Sequence, residues 1–515
     1  MQNNCFQVEK PATLSSPVWK SCRLPLDSFS RPCTLPPPFV PFVFLVAILP
    51  IPGTLLSDCR RKMRSPGAPL HHSKRNSLLG FTKVDSNPEW CKPKWTTIHF
   101  GVDICPPPTR LQDMTQPYQR RFYESVIREH LEENRQMVFL SGPRQCGKTT
   151  LAQTLSDTYL NWDDASVRAA VLAGQRETAS RFGLDALSTA RRVAVFDELH
   201  KYPRWKAFLK GFFDLYGSRL GIIATGSAKM NVYKRGGDSL MGRYFPYRMH
   251  PLSVAELLDV SLPPETLVRS PRELPASEWD ALLEFGGFPE PFMRRNRRFS
   301  VRWADLRMEQ LMLDDVRTLT QVHELEQIRL LTEILSRRSG DQLVWSSLAA
   351  DLSADPKSAK KWTEILEYLY FGFEVKPWTR NVSDSLRKMP KWFLRDWSGI
   401  ADSGKRHETM AACHLLKAVE AWTDLGLGRF ALWYVRDKQK REVDFLVSRD
   451  GNPWFLAEVK TSETRLSPTL AHFQKALGTK HAFQIVFDMP YVAADCFSRT
   501  DPVAVPARTF FSQLV

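Results

Sequence analysis

Between Gln136 and Thr150 the chain reads QMVFLSGPRQCGKTT, and no other stretch restricts its fold as much. QMVFL fits a buried strand, KTTLAQTLSD fits a helix, and the turn between them carries Gly142, Gly147 and Lys148. A buried strand feeding a helix through a glycine-rich turn predicts an α/β fold built on a parallel sheet. The turn also matches the phosphate-loop pattern G-x-x-x-x-G-K-[ST]. Its glycines let backbone N–H groups curl round a phosphate, Lys148 sets a compact positive charge on the β and γ oxygens, and Thr149 offers a hydroxyl to Mg²⁺. Pro143, Arg144, Gln145, Cys146 and Thr150 complete the expected nucleotide-binding stretch, with ATP and Mg²⁺ as cofactors. Cys146 reads as a small spacer; the competing reading is a redox-sensitive thiol beside a helix N-terminus.

A second buried strand, Val193 to Phe196, ends in Asp197-Glu198. Asp197 is suited to holding Mg²⁺ alongside Thr149, and Glu198 to polarising the attacking water, which would make the site hydrolytic. The plain alternative for such a pair is solvation of a strand end. RLGIIATGS supplies a further strand ending in Thr225-Gly226-Ser227, where a hydroxyl, with Ser227 the candidate, could sense the γ-phosphate. Arg243, in SLMGRYFPYRMHPLSVAEL, is a candidate charge-stabilising arginine acting in cis or in trans, with an ordinary surface arginine as the competing reading.

Taken together, GPRQCGKTT, YLNWDD, VAVFDELHKYPRWKAFLKGFFD, IIATGSAKM and GRYFPYRMHPLSVAEL resemble a widespread prokaryotic family of AAA-type ATPases. The resemblance runs from about Met114 to near the C-terminus. It implies an ATPase core followed by a C-terminal domain of largely unknown function with a restriction-endonuclease-like fold. The expected architecture is an AAA-type P-loop core at 114–260, a helical, winged-helix-like region at 261–395, and a restriction-endonuclease-like α/β domain at 396–515.

The first 113 residues fall outside that likeness. They hold 17 of the 36 prolines, and proline breaks both helices and central strands, so this part reads as a disordered extension or a mistranslated upstream frame. Its apolar island is uninterrupted only from Phe42 to Leu49, too short for a membrane span of about 20 residues. No membrane partner is expected. The net charge of +15 divides between the two parts: 14 Lys+Arg against 7 Asp+Glu up to Asp113, and 57 against 49 beyond it. The expected folded part is thus mildly basic, which permits a nucleic-acid partner without demanding one. Six of the nine cysteines precede residue 106 without metal-ligand spacing, so a reducing cytoplasm fits better than a disulfide framework.

In the middle, DQLVWSSLAADLSADPKSAKKWTEILEYLYFGFEVKPW reads as helix, turn, helix and strand pair. Lys357, Lys360 and Lys361 on its second helix could meet a DNA backbone, although such lysines also suit a solvated face or a partner-binding module. Further on, REVDFLVSRDGNPWFLAEVKTS predicts a hairpin turning at Asp450-Gly451. That folding sets Asp444 opposite, or nearly opposite, Glu458, with Lys460 alongside, and Glu408 starts an amphipathic helix upstream. The four match the D…ExK arrangement of nucleases that use a divalent metal; a charged edge hairpin is the bland reading. Two functions stay open for this half: an ATP-regulated nuclease-like module with DNA as its candidate partner, or a protein-interaction or self-association switch that cuts nothing.

Overall fold

The computed structural model describes residues 120–186, 188, 190–226, 240–259, 261, 267–317, 324–379 and 389–515, within the unit Asp103–Val515. The expectations for residues 1–113 and for Ser227 lie outside the described residues.

Five strands form the first sheet: β1 (Met137–Ser141), β2 (Thr158–Asn161), β3 (Arg192–Asp197), β4 (Leu220–Thr225) and β5 (Tyr244–Arg248). Their order is β2-β3-β4-β1-β5, and every pairing is parallel. Continuous burial of β4 and near-continuous burial of β1 and β3 is what a sheet covered on both faces requires. On one face the helix Trp205–Tyr216 packs Phe208, Phe212 and Phe213 against Phe139 and Phe196. On the other, Leu140, Val195 and Ile223 enter a core shared with the C-terminal half.

The second sheet is mixed: β6 (Gly372–Pro377), β7 (Lys391–Leu394), β8 (Phe430–Arg436), β9 (Glu442–Arg449), β10 (Asn452–Lys460), β11 (His481–Val486) and β12 (Val503–Pro506). Its order is β12-β11-β10-β9-β8-β6-β7. Strands from either side of residue 395 therefore share it. The expected hairpin is β9–β10, and its tip holds Asp450 and Gly451 at φ 50° and 81°, the pair of left-handed residues that a tight hairpin turn demands.

Between the sheets, the helices Trp345–Asp351 and Pro356–Tyr368 precede the β6–β7 hairpin, in the expected order. Asp355 caps the second helix by accepting from the Lys357 and Ser358 backbones, and Pro356 sits in its first turn, where a missing N–H costs nothing. The long helix Ser403–Asp424 starts on an Asp402 cap and lies against both sheets. Among the described residues, no helix is long and apolar enough to cross a membrane.

A candidate nucleotide site and a lysine-filled carboxylate cluster

Parallel strands deliver their C-terminal ends to one edge, and the candidate nucleotide site lies there. Register pairs Asn161 with Asp197 and Asp197 with Thr225, beside the end of β1. Directly after Ser141 the loop from Gly142 turns into the helix Lys148–Leu155 through Gly147 at φ 97°. Gly142 is required on a second ground: a Cβ there would lie 2.1 Å from the Met249 carbonyl oxygen. Pro143 and Cys146 are buried in the loop, whereas Gln145, Thr149 and Thr150 are exposed at it. The Lys148 ammonium lies inside the loop, donating to the carbonyls of Gly142 and Pro143 at 3.0 and 2.6 Å.

Asp197 is the hub. Its carboxylate accepts from the Thr149 hydroxyl at 3.0 Å, from the Tyr159 phenol at 2.5 Å, and from the Thr225 hydroxyl. Burial and the neighbouring Asp197 hold the Tyr159 phenol well above its ordinary pKa, so it remains a donor. Thr149 and Asp197 are hard oxygen donors side by side, a set that suits Mg²⁺ completed by phosphate and water. Glu198 follows in the left-handed region at φ 55°, a strained position of the kind that clusters at functional sites. Burial raises its pKa, while Lys201 and, more weakly, Arg144 and Lys148 pull the other way. Its carboxylate also lies 3.6 Å from His200 and 3.5 Å from Lys201.

Two expected members of this site fare differently. Arg243 precedes β5 at the N-terminal edge of the sheet, where Met137 pairs with Tyr244. That is roughly 13 Å of strand from the phosphate loop. There it pairs with Asp214 at 2.8 Å, so a cis role on the same nucleotide is corrected. Arg144 leaves the loop to bond Asp315 at 2.7 Å, in the turn of π-type helix Leu311–Val316. Tyr159 was missed in the sequence, and Thr225, at the strand end where a phosphate-sensing hydroxyl was expected, bonds Asp197 instead; neither link to Asp197 has a local signal until register makes it.

In the C-terminal sheet the four expected residues divide: Glu408 and Asp444 meet on a lysine that the sequence concealed, while Glu458 and Lys460 pair with each other. Hairpin register places Asp444 one step beyond the last paired position, Phe445–Ala457, opposite Glu458, and the Val459 N–H donates to Asp444 at 2.9 Å. Lys460 pairs with Glu458 at 2.9 Å. Glu408, Glu442 and Asp444 instead converge on the buried ammonium of Lys391, at 3.0, 2.7 and 3.5 Å. Burial alone would lower the Lys391 pKa, but the three carboxylates outweigh it and hold the lysine charged. Burial, then Asp444, pushes Glu408 up to about 7. Among the described residues, no group of three or more His, Cys, Asp and Glu is arranged to hold a metal ion. The three lysines of the helix Pro356–Tyr368 are exposed, and Lys361 pairs with Glu324 at 3.4 Å.

A parallel sheet with a phosphate loop and a paired Thr149–Asp197 at its carboxyl edge defines an α/β P-loop nucleotide-binding fold. Residues 134–258 match the AAA domain family. Residues 276–403 and 403–492 match two families described as domains of unknown function, DUF8612 and DUF4143. An uncharacterized protein of Mycobacterium bovis and one of Mycobacterium tuberculosis are each 24% identical over 344 residues, 65% of this chain and 72% of theirs. Among solved structures, AMPPCP-bound DnaA from Aquifex aeolicus aligns with 48% of this chain and 87% of its own, at 15% identity and a TM-score of 0.25. PCH-2 of C. elegans aligns with 47% of this chain and 66% of its own, at 12% identity and a TM-score of 0.20.

Proposed function

We propose that this protein hydrolyses ATP and uses the turnover to drive or gate its C-terminal half. The observation that carries the reading is the convergence of Thr149, Tyr159 and Thr225 on Asp197, with Glu198 next in the chain. In this reading Lys148 binds the β- and γ-phosphates, while Thr149 and Asp197 hold Mg²⁺, whose charge offsets that developing on the phosphates. Glu198 orients and polarises the attacking water, and its raised pKa makes it a stronger base than an ordinary carboxylate. Ser227 remains a proposed γ-phosphate sensor, and the role left to Arg243 is in trans, on a nucleotide bound by a second copy.

For the C-terminal half, a winged-helix-like segment followed by a restriction-endonuclease-like domain remains the proposed architecture. Of its two functions, the Lys391 ammonium favours the binding switch without cleavage. It lies between Glu408 and Asp444, where a nuclease would need a divalent ion. DNA, through Lys357, Lys360 and Lys361, or a protein partner is the proposed target.

The test uses the full chain. Lys148→Ala is expected to lose ATP binding, and Glu198→Gln to keep binding while turnover stops. Parental hydrolysis by E198Q would remove the mechanism. DNA incubated with the chain and Mn²⁺ is expected to stay intact; cutting that Asp444→Asn abolishes would restore the nuclease reading.

A further inference from the structure

The phosphate loop is held from behind by a chain of buried charges that reaches into the C-terminal half. Arg121, just ahead of the helix Phe122–Glu133, is 2% exposed. Its guanidinium donates to the Cys146 carbonyl at 2.5 Å, to the His250 carbonyl at 2.5 Å, and to both oxygens of Glu256 at 2.8 and 3.1 Å. Glu256 also accepts from the Phe122 N–H at 2.8 Å and from the Lys417 ammonium at 2.5 Å. Lys417 lies on the helix Ser403–Asp424 and makes a second bond, to the Pro251 carbonyl at 3.2 Å. Glu256 and Lys417 are each 1% exposed, so water screens none of this.

The bond to Cys146 has a geometric consequence. Across a trans peptide, a carbonyl and the next N–H point to opposite sides. Fixing the Cys146 carbonyl on Arg121 therefore aims the Gly147 N–H away from Arg121, toward the side on which phosphate oxygens are expected. Glu256 in turn sets where the guanidinium lies. It is shared by two cations, and although burial favours its neutral form, Arg121 and Lys417 outweigh that and hold its pKa at about 2. Without the ammonium, Arg121 would be the one cation still bonded to a buried carboxylate, with Arg269 only a weaker influence on it, and would be drawn off the Cys146 carbonyl toward it.

We infer that Arg121 is a positioning residue of the nucleotide site and that Lys417 sets its position, which makes the C-terminal half a working part of the phosphate loop. The inference rests on the ATP-binding reading above. It is tested on the full chain by titrating ATP calorimetrically and by following turnover and thermal unfolding. Lys417→Met is expected to weaken ATP binding about tenfold or more, since small misplacements of binding groups cost that much. Lys417→Arg, which keeps the cation, is expected to recover most of the affinity. On a Glu256→Gln background, Lys417→Met should add little further loss, because both act through one carboxylate. A merely structural lysine would lower the melting temperature and leave ATP affinity untouched, and that result overturns the inference. Should Lys417→Met fail to fold, the charge-balanced Glu256→Gln/Lys417→Met pair carries the test, with weakened ATP binding expected and wild-type affinity overturning it. A wild-type chain that binds no ATP removes the nucleotide reading itself, an outcome distinct from the others.

Discussion

At Gly142 the backbone stands at φ 151° with the Met249 carbonyl where a side chain would go. Gly142→Ala must therefore both strain the loop and push the segment after β5 away. The expected cost is roughly 3 kcal/mol of stability with loss of nucleotide binding, read by denaturant unfolding and ATP titration. An alanine variant that binds ATP normally would show that the loop has slack. Residues of this kind were legible in the sequence, because spacing along a single turn dictates them. Arg121, Glu256, Lys417 and Lys391 were not. Arg121 meets a carboxylate 135 positions away, and Lys417 meets the same one across 161. A charged residue with so remote a partner looks like any surface charge until the fold closes.

Elements divide in the same way. The strands β1, β3, β4 and the hairpin β9–β10 could be read from apolar runs and a turn dipeptide. The composition of the second sheet could not, since β6 joins β8 through a parallel pairing that spans more than 50 residues. Lys391 enters with β7, and its removal should be costly. Lys391→Met leaves three carboxylates without their shared cation, at roughly 3–5 kcal/mol, and the loss should shrink in acid as Glu408, which burial and Asp444 push up to about 7, protonates. A stability curve indifferent to this change would mean the cluster is neutral. A second pH effect belongs to the contact between β5 and the helix Ser403–Asp424. His250 bonds Glu420 at 2.6 Å through Nε2, and Arg395 lies 3.2 Å from Nδ1, so the neutral ring satisfies both. Burial first, then the Arg395 and Lys417 charges, lower its pKa to about 4 from 6.5, despite Glu420. A histidine whose folded pKa is depressed leaves stability intact above 6.5 and loses it as pH falls toward 4. Relative to His250→Gln, the wild type should lose on the order of 2 kcal/mol between about pH 7.5 and about pH 5, measured by urea unfolding. A constant difference would count against a buried neutral ring.

At the scale of the molecule, the two halves share one core. Phe122, Leu140 and Leu252 belong to the same buried cluster as Trp422, Phe445 and Phe483. Arg248 and Asp424 clasp the two at 2.5 Å. The halves should therefore unfold together, in a single calorimetric transition that ATP shifts upward by a few degrees. Two well-separated transitions, only one of them moved by ATP, would show the halves to be independent. That shared core, and the Arg121–Glu256–Lys417 chain across it, bear on how the protein is made. A ribosome that has just completed the nucleotide sheet has not yet synthesised Lys417 or the helix that carries it. At about 5–20 residues per second, the gap between Glu256 and Lys417 takes on the order of ten to thirty seconds to translate. During that interval the nascent chain carries every residue of its phosphate loop but not the lysine inferred to align it, so on that inference the loop is expected to become competent for nucleotide only late in synthesis.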